Sequence, residues 1–214
     1  MAAKQPAMRP QAPESLPAST AVEPDGRRRR SRQSRDRIVQ AMLELVEAGD
    51  VTPGAEAVAA RAAVGLRSVF RHFKDMESLY AEMTFRVAQH YEAMLAPFET
   101  SGWRNQLAEM IERRLTTFER LMPFKRAADA HRHESPALQA NYTSSLAMMR
   151  SRLSGLLPAA LADDPVRFES LDLLLSFDVW QRLRVDQGLE SVAARAVVEG
   201  QVALLLAAAA PLSD

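Results

Sequence analysis

The sequence predicts an all-α protein, and three observations support that fold class. Only 8 of the 214 residues are glycine, while 47% are hydrophobic, which is enough apolar material for a sizeable core. Apolar residues recur at intervals of three and four, which is the period of an amphipathic helix. No run of alternating β-branched and aromatic residues marks a strand. We therefore expect either one large helical domain or two smaller ones.

Composition also bears on the compartment. The chain contains no cysteine, so it has neither a disulfide framework nor a thiolate metal site, which suits a reducing cytoplasm. Residues 1–26 lack the apolar core of a signal peptide, and the most apolar stretch, residues 204–212, is short and rich in alanine. We expect a cytoplasmic protein without a membrane segment.

The N-terminal end carries the excess of positive charge. Residues 1–76 hold 13 Lys and Arg against 9 Asp and Glu, a net charge of +4 that the remainder balances. Residues 1–30 are rich in Pro, Ala, Gln and Ser and end in Arg27, Arg28, Arg29 and Arg30, which predicts a disordered basic arm. Such an arm can follow phosphates or enter a minor groove, and a solvated tail is the alternative interpretation.

Residues 31–76 are expected to form three helices. Apolar residues from Ile38 to Val46 predict the first helix, which ends near Gly49. Thr52 followed by Pro53 predicts that the second helix starts at about Pro53, because a threonine oxygen can cap free amides and proline suits the first helical position. This helix is expected to run to about residue 62.

A break at residues 63–65 separates the second helix from a short third one. In that third helix we expect Val69 and Phe73 to pack against the first two helices, since large apolar residues at this spacing are usually buried. A fourth helix is predicted from about Glu77 to Pro97.

The rest of the chain, residues 77–214, is expected to form a helical domain. Prolines and glycines divide its apolar periodicity into five further helices. The predicted stretches are 103–121, 123–134, 136–157, 166–185 and 189–209.

The string from Thr52 to Leu79, TPGAEAVAARAAVGLRSVFRHFKDMESL, carries the most specific information. It resembles the DNA-binding domain of the TetR family, in which a turn after helix 2 leads to a short recognition helix ending in an aromatic, a variable residue, His and Phe. Here that ending runs from Phe70 to Phe73. The resemblance implies a helix-turn-helix DNA-binding domain at residues 31–76, followed by a helical domain that binds an effector and dimerises.

The resemblance also implies which side chains meet double-stranded DNA. Arg67 is the candidate for reading a guanine, because a guanidinium fork matches the O6 and N7 acceptors, and a phosphate contact is the alternative. His72 is expected either to donate to a phosphate or to pack locally. The full expected set is Thr52, Gly65, Leu66, Arg67, Ser68, Phe70, Arg71, His72, Lys74, Arg27, Arg28, Arg29 and Arg30.

Three residues depart from the family pattern. Ala63 stands where glycine is usual in the turn, Phe70 where tyrosine is usual, and Met76 where lysine is usual. An alanine with positive φ costs up to about 1 to 2 kcal/mol, while the other two changes remove a hydroxyl and a cation that could contact phosphates. We therefore expect either an altered turn or weaker phosphate binding.

Partners are expected in the C-terminal domain. Its last two helices hold more apolar residues than one helical pair needs, and the family packs these helices against their two-fold mates, so a homodimer is expected on an inverted-repeat operator. Aromatic and methionine side chains of the middle helices are candidates for binding a small apolar or amphipathic effector. These are Trp103, Met110, Phe118, Met122, Tyr142, Met149, Phe177 and Trp180.

No pattern in the sequence supports catalysis, a cofactor or a metal. His131 and His133 are two residues apart on a helix, so they point to different faces, and no carboxylate has the usual ligand spacing. Neither a Gly-rich phosphate loop, nor a nucleophile elbow, nor an HExxH string occurs. We therefore expect no enzymatic activity.

The leading hypothesis is a DNA-binding transcriptional regulator, a repressor that an effector releases from its operator. Activation of transcription, or a requirement for the ligand in DNA binding, fits the same sequence. The alternatives are a helical small-molecule-binding protein or enzyme that has lost operator recognition, and a protein-interaction adaptor.

Overall fold

A computed structural model describes residues 24–88 and 91–207, and these residues form helices without any strand. The all-α prediction is confirmed. Within these ranges eleven α-helices follow one another, with a π-helical turn at Arg182–Asp186 after α10. They are α1 (Pro24–Glu47), α2 (Ala55–Arg61), α3 (Leu66–His72), α4 (Met76–Ala88), α5 (Glu92–Leu95), α6 (Trp103–Arg132), α7 (Pro136–Leu156), α8 (Ala159–Ala162), α9 (Pro165–Leu174), α10 (Phe177–Gln181) and α11 (Ser191–Ala207).

Two clusters of buried side chains form the interior. The N-terminal cluster contains side chains of the first four helices and of α6 and α7, and it includes Ile38 and Met42 of α1, both fully buried. The C-terminal cluster joins α6 to α11 around Phe118, Phe177 and Trp180, with the rings of Phe118 and Phe177 edge to face at 5.6 Å. Each cluster removes a continuous apolar surface from water, which is the main favourable contribution to folding.

Helix α6 contributes to both clusters, and α4 packs against it and against α1. Helix α4 begins at the predicted domain boundary, yet its Leu79 and Met83 are buried in the N-terminal cluster. Helix α6 is 30 residues long and contributes Phe118 to the C-terminal cluster and Leu121 to the N-terminal one. Movement of either helix is therefore felt on both sides of the boundary.

A cation lies inside the C-terminal half of the molecule. Arg114 of α6 is only 1% exposed, and its guanidinium donates to the Met149 carbonyl of α7 at 2.5 Å. Burial lowers the pKa of this guanidinium to about 10, because removal from water disfavours the charged form.

The start of α1 differs from the prediction of a disordered arm over residues 1–30. Helix α1 begins at Pro24, so Arg27, Arg28, Arg29 and Arg30 are helical, while residues 1–23 lie outside the described part of the chain. Proline is tolerated in the first turn of a helix, and arginine is a good helix former without any apolar partner. Apolar periodicity could not reveal this helical segment, because the side chains of residues 27–30 are exposed cations.

The start of α2 also differs from the prediction. Gly54 occupies the N-cap position with an extended backbone, and the helix begins at Ala55. The backbone amide of Thr52 donates to the Asp50 carboxylate at 3.1 Å, so Thr52 lies in a turn stabilised by Asp50 and does not cap the helix.

Two predicted helix boundaries in the C-terminal half are wrong. Pro123 lies inside the continuous α6, although it removes one backbone hydrogen bond, because buried residues on both sides hold the helix together. The predicted helix 166–185 is divided, since α9 ends at Leu174 and the Ser176 hydroxyl accepts from the Val179 amide to cap α10. The last helix is described as far as Ala207.

Within residues 24–88 and 91–207, no helix combines the length and the apolar character needed to cross a bilayer.

Candidate nucleic-acid interface

Helix α3 is held to the N-terminal cluster by two apolar side chains. Val69 is 1% exposed and Phe73 is 3% exposed, as the sequence predicted. The guanidinium of Arg35 in α1 lies 4.7 Å from the centre of the Phe73 ring, which adds a cation–π contact. These contacts fix the orientation of a helix only seven residues long.

The outer face of α3 combines cations with uncovered apolar side chains. Arg67, Arg71 and the following Lys74 are exposed, and so are Leu66 at 40% and Phe70 at 47%. The Arg71 guanidinium donates to the Ser68 hydroxyl at 3.2 Å. A surface that mixes guanidinium groups with apolar side chains suits a major groove, which offers acceptors and thymine methyl groups.

The turn before α3 contains a backbone feature that alanine rarely adopts. Ala63 has a φ of +52°, and it is the one non-glycine residue with a positive φ in the described ranges. The Val64 amide donates to the Ala59 carbonyl and the Ala63 amide to the Ala60 carbonyl, which is a Schellman ending to α2. The departure from glycine at this position therefore leaves the turn intact at the cost of a strained backbone.

Three other predicted contact residues, His72, Thr52 and Gly65, differ in exposure and position. His72 is half-buried, its Nε2 atom has no hydrogen-bond partner, and burial, followed by the charges of Arg71 and Arg35, lowers its pKa. The lowered pKa favours the neutral imidazole, so His72 is a weaker candidate for a cationic phosphate contact than Arg67 or Arg71. Thr52 is exposed in the turn between α1 and α2, and Gly65 is the exposed N-cap of α3.

The first turns of α1 form a second cationic surface. The side chains of Arg27, Arg28, Arg29, Arg30 and Arg32 are all exposed there. Further along the helix, Arg35 forms an ion pair within the molecule, with Glu82 of α4 at 2.8 Å. We call the exposed segment 27–32 the basic end of α1.

An ion-pair network joins α1 to α4. Glu82 pairs with Arg35 at 2.8 Å and with Arg86 at 3.4 Å, and Arg86 also pairs with Asp36. The hydrogen bond from Arg35, followed by the nearby positive charges, holds the pKa of Glu82 below its usual value of 4.5. Since α4 also packs against α6 and α7, this network couples the helix-turn-helix to the rest of the molecule.

The eight predicted effector residues are divided between core and surface. Met110, Phe118, Met149, Phe177 and Trp180 are buried in the C-terminal cluster, and Trp103 packs against it. The indole of Trp180 donates to Glu119 at 3.0 Å, and Arg184 pairs with the same carboxylate at 2.7 Å. Met122 lines a cleft of about 270 Å³ beside α1.

Tyr142 lies elsewhere, in a cavity of about 40 Å³ between α4, α6 and α7. We call this space the α4–α6–α7 cavity. Its charged lining consists of Lys125, Asp129 and Arg132, none of which is among the predicted effector residues. Their spacing of four and three residues places them on one face of α6, and this is the signal that could have identified them.

The described part of the chain holds no group of three or more acidic or histidine side chains placed to bind a metal ion. His131 packs against the Tyr80 ring with centroids 4.1 Å apart, while His133 is exposed.

Comparisons with known proteins agree with this arrangement at the level of the fold. No protein-family profile matches the sequence, and no curated protein does either. Among solved structures, a transcriptional regulator from Rhodococcus sp. Rha1 superposes with a TM-score of 0.67 at 17% identity, covering 84% of this chain and all of that one. A TetR-like transcriptional regulator from Rhodococcus sp. RHA1 gives 0.59 at 19% identity, covering 84% of this chain and 97% of its own. A third structure, from Pseudomonas aeruginosa PAO1, gives 0.57 at 19% identity, covering 88% of this chain and 94% of its own. The chain therefore has the fold of TetR-like transcriptional regulators.

Proposed function

We propose that this protein regulates transcription by binding an inverted-repeat operator as a homodimer, and that a small effector releases it from DNA. The fold supports this proposal, since the neighbours in structure are transcriptional regulators. The observation that carries it is the outer face of α3, where Arg67 and Arg71 stand beside Leu66 and Phe70.

The composition of this face favours the binding of a partner there. Helix α3 is anchored by Val69 and Phe73, so its remaining side chains are free to serve recognition. Exposed Leu66 and Phe70 gain favourable burial when a partner covers them, while Arg67 offers the bidentate geometry that guanine accepts. The basic end of α1 supplies additional cations for the phosphate backbone.

The test is selection of the purified protein on a random duplex library, followed by the same selection with Arg67→Ala. We expect the wild-type protein to enrich an inverted repeat, and the variant to lose preference at one base pair of each half-site. A bidentate contact contributes about 1 to 3 kcal/mol of discrimination, or about 5- to 150-fold in affinity.

Arg120→Ala is the matched control, because Arg120 is exposed on α6 in the other half of the molecule. It should leave both the enriched sequence and the affinity unchanged. An unaltered selection profile for Arg67→Ala would remove the base-reading role and leave Arg67 as a phosphate contact.

The proposed dimer uses the exposed apolar faces of α9 and α11. Ala193, Val197, Gly200 and Leu204 are exposed along α11 at spacings of four, three and four residues, the pattern of a helix-packing seam. Leu173 of the neighbouring α9 is 63% exposed and Leu204 is 65% exposed. Two copies joined through these faces would present two α3 helices to one duplex.

The alternative is a small-molecule-binding protein of the same architecture that no longer recognises an operator. The strained Ala63 and the replacement of a family tyrosine by Phe70 favour this alternative. Salt dependence separates the two hypotheses, because a DNA binder loses affinity steeply as salt rises, whereas a pure ligand binder does not respond to DNA at all.

A further inference from the structure

The α4–α6–α7 cavity has a charged lining, which the effector residues predicted from the sequence did not include. Two cations, Lys125 and Arg132, share a single carboxylate there, that of Asp129. Lys125 donates to both Asp129 oxygens at 2.8 and 2.9 Å, and the Nε atom of Arg132 lies 3.3 Å from one of them. The charged side chains that line the cavity therefore sum to one positive charge.

Arg132 is left with an unused donor in this arrangement. Its Nε atom is buried and makes no hydrogen bond, although it lies near Asp129. Another of its nitrogens donates to the Gln139 amide oxygen at 3.3 Å. A buried N–H without an acceptor costs free energy, and the nearby Asp129 carboxylate offsets part of that cost, so the remaining guanidinium N–H groups are the ones that can meet a ligand.

The Tyr142 ring holds both cations in position. The Arg132 guanidinium carbon lies 4.0 Å from the ring centre, and the Lys125 ammonium lies 4.4 Å from it. Asp178 of α10 is the further carboxylate that acts on Tyr142, but it is exposed and does not line the cavity. Among the side chains that line the cavity, two cations therefore face one carboxylate, and Asp178 acts on them only from outside the lining.

The remaining walls are apolar or neutral. Val87 of α4, Leu121 and Phe124 of α6, and Leu138 of α7 supply hydrocarbon surface. A volume of about 40 Å³ has room for roughly three water molecules, or for a group of similar size. A carboxylate with a short apolar body matches both the charge and the space.

We propose that the α4–α6–α7 cavity binds a small organic acid, whose carboxylate is held by Arg132 and Lys125 and whose apolar part packs against α4. This inference rests on the proposed function only in identifying the ligand as an effector. Binding itself requires neither DNA nor a dimer. Because Thr84 and Val87 of α4 line the cavity, a bound acid would bias the helix that follows the recognition helix.

The experiment titrates the full-length protein with acetate and propionate by calorimetry, at constant ionic strength and without DNA. Acetamide and propionamide, which match the acids in shape but carry no charge, are titrated in parallel. We expect at least one acid to bind and its amide to bind about tenfold more weakly or not at all, since hydrogen bonds to charged groups are the stronger ones. Equal affinity for acid and amide, or binding of neither acid, would overturn the proposal.

Substitutions on α6 assign the site. Arg132→Gln is expected to weaken binding of the acid about tenfold or more. Arg120→Gln, the same change at an exposed position of the same helix, is expected to leave it unchanged. Equal losses in both variants would contradict the assignment, even if the acid binds somewhere on the protein. Operator selection in the absence of any acid remains a separate test, so that failure of either proposal can be recognised independently.

Discussion

At the scale of single residues, Ala63 shows how much strain the helix-turn-helix tolerates. Its backbone lies in the left-handed region, where a Cβ atom approaches the following carbonyl oxygen. The two hydrogen bonds of the Schellman ending compensate for this strain, because they satisfy carbonyl groups that would otherwise be left unpaired at the end of α2.

Ala63→Gly is therefore expected to stabilise the protein by about 1 kcal/mol, since glycine adopts positive φ without the Cβ clash. The Ala63 side chain is exposed, so little packing is lost. Urea unfolding at pH 7 measures the change. Ala60→Gly is the control, because Ala60 is exposed inside α2, where glycine should destabilise by about 0.5 to 1 kcal/mol. Destabilisation by both substitutions would contradict the account of the turn.

Single residues also differ in whether their positions could be predicted from the sequence. Val69 and Phe73 could be predicted as anchors because helical spacing identifies the buried face of a short helix. The predicted effector set is less informative, since periodicity cannot separate a buried core residue such as Phe118 from one that lines a cavity. Charged residues of α6 were missed because a charge on a helix is usually solvent-exposed, and only the packing of α7 encloses Arg132.

At the scale of helices, the contact between α1 and α4 depends on the protonation of one carboxyl. Glu82 is largely buried between Arg35 and Arg86, and its pKa is lowered in the folded state. The unfolded chain therefore binds this proton more readily than the folded one as the pH falls. The stabilisation is complete well above pH 4.5 and is lost as the pH falls through the pKa of the folded state.

Glu82→Gln is expected to lower the free energy of unfolding by about 0.5 to 1 kcal/mol at pH 7, as for a partly exposed ion pair. The loss should shrink as the pH falls below about 4.5, where the unfolded chain takes up the proton first, and it should vanish once the pH falls below the lowered pKa of the folded state. Chemical denaturation at a series of pH values between about 3 and 7 tests this. Glu47→Gln, at an exposed position near the end of α1, should show no such convergence.

The basic end of α1 supports a prediction about salt. Replacing Arg27, Arg28, Arg29 and Arg30 with glutamine should weaken binding to operator and random DNA alike. The slope of log affinity against log salt concentration should fall by about 0.9 for each phosphate that the variant no longer neutralises. Fluorescence anisotropy at several salt concentrations measures the slope.

Arg120→Gln combined with Arg126→Gln removes exposed cations from α6 and serves as the control for general charge. An identical slope for the fourfold variant and the wild-type protein would show that the basic end does not touch DNA.

At the scale of the whole molecule, the outer faces of α9 and α11 decide the state of assembly. Leu173 and Leu204 expose more than half of their surface, and both lie on faces that no other described helix covers. Burial of such side chains is favourable by about 25 cal/mol for each Å² of apolar surface, so a second copy is a suitable partner.

The double substitution Leu173→Glu and Leu204→Glu is expected to halve the mass measured by light scattering, because dimerisation would bury four unpaired carboxylates. Phe85→Glu is the matched control, since Phe85 is 66% exposed on α4, away from these helices. If the double variant keeps the wild-type mass, the two faces do not form the interface. If the control also loses mass, the interface extends to α4.

The helical architecture could be predicted from the sequence more fully than the boundaries of the individual helices. The helical class and the order of the first four helices follow from apolar spacing, whereas the helical state of Arg27–Arg30 does not, because an exposed helix leaves no apolar pattern. Pro123 shows the opposite failure. The expected break at this proline reflects a local penalty, while the continuous helix reflects burial along its whole length.

Pro123 also has a mechanical consequence for the molecule. Because proline has no amide hydrogen, the carbonyl of Glu119 lacks its usual donor within α6, near the point where the helix passes from one buried cluster to the other. A rod with one missing internal bond bends more easily there than elsewhere along its length. Bending of α6 is therefore easiest near Pro123. This point lies between the half of the molecule that carries α3 and the half proposed to form the dimer interface.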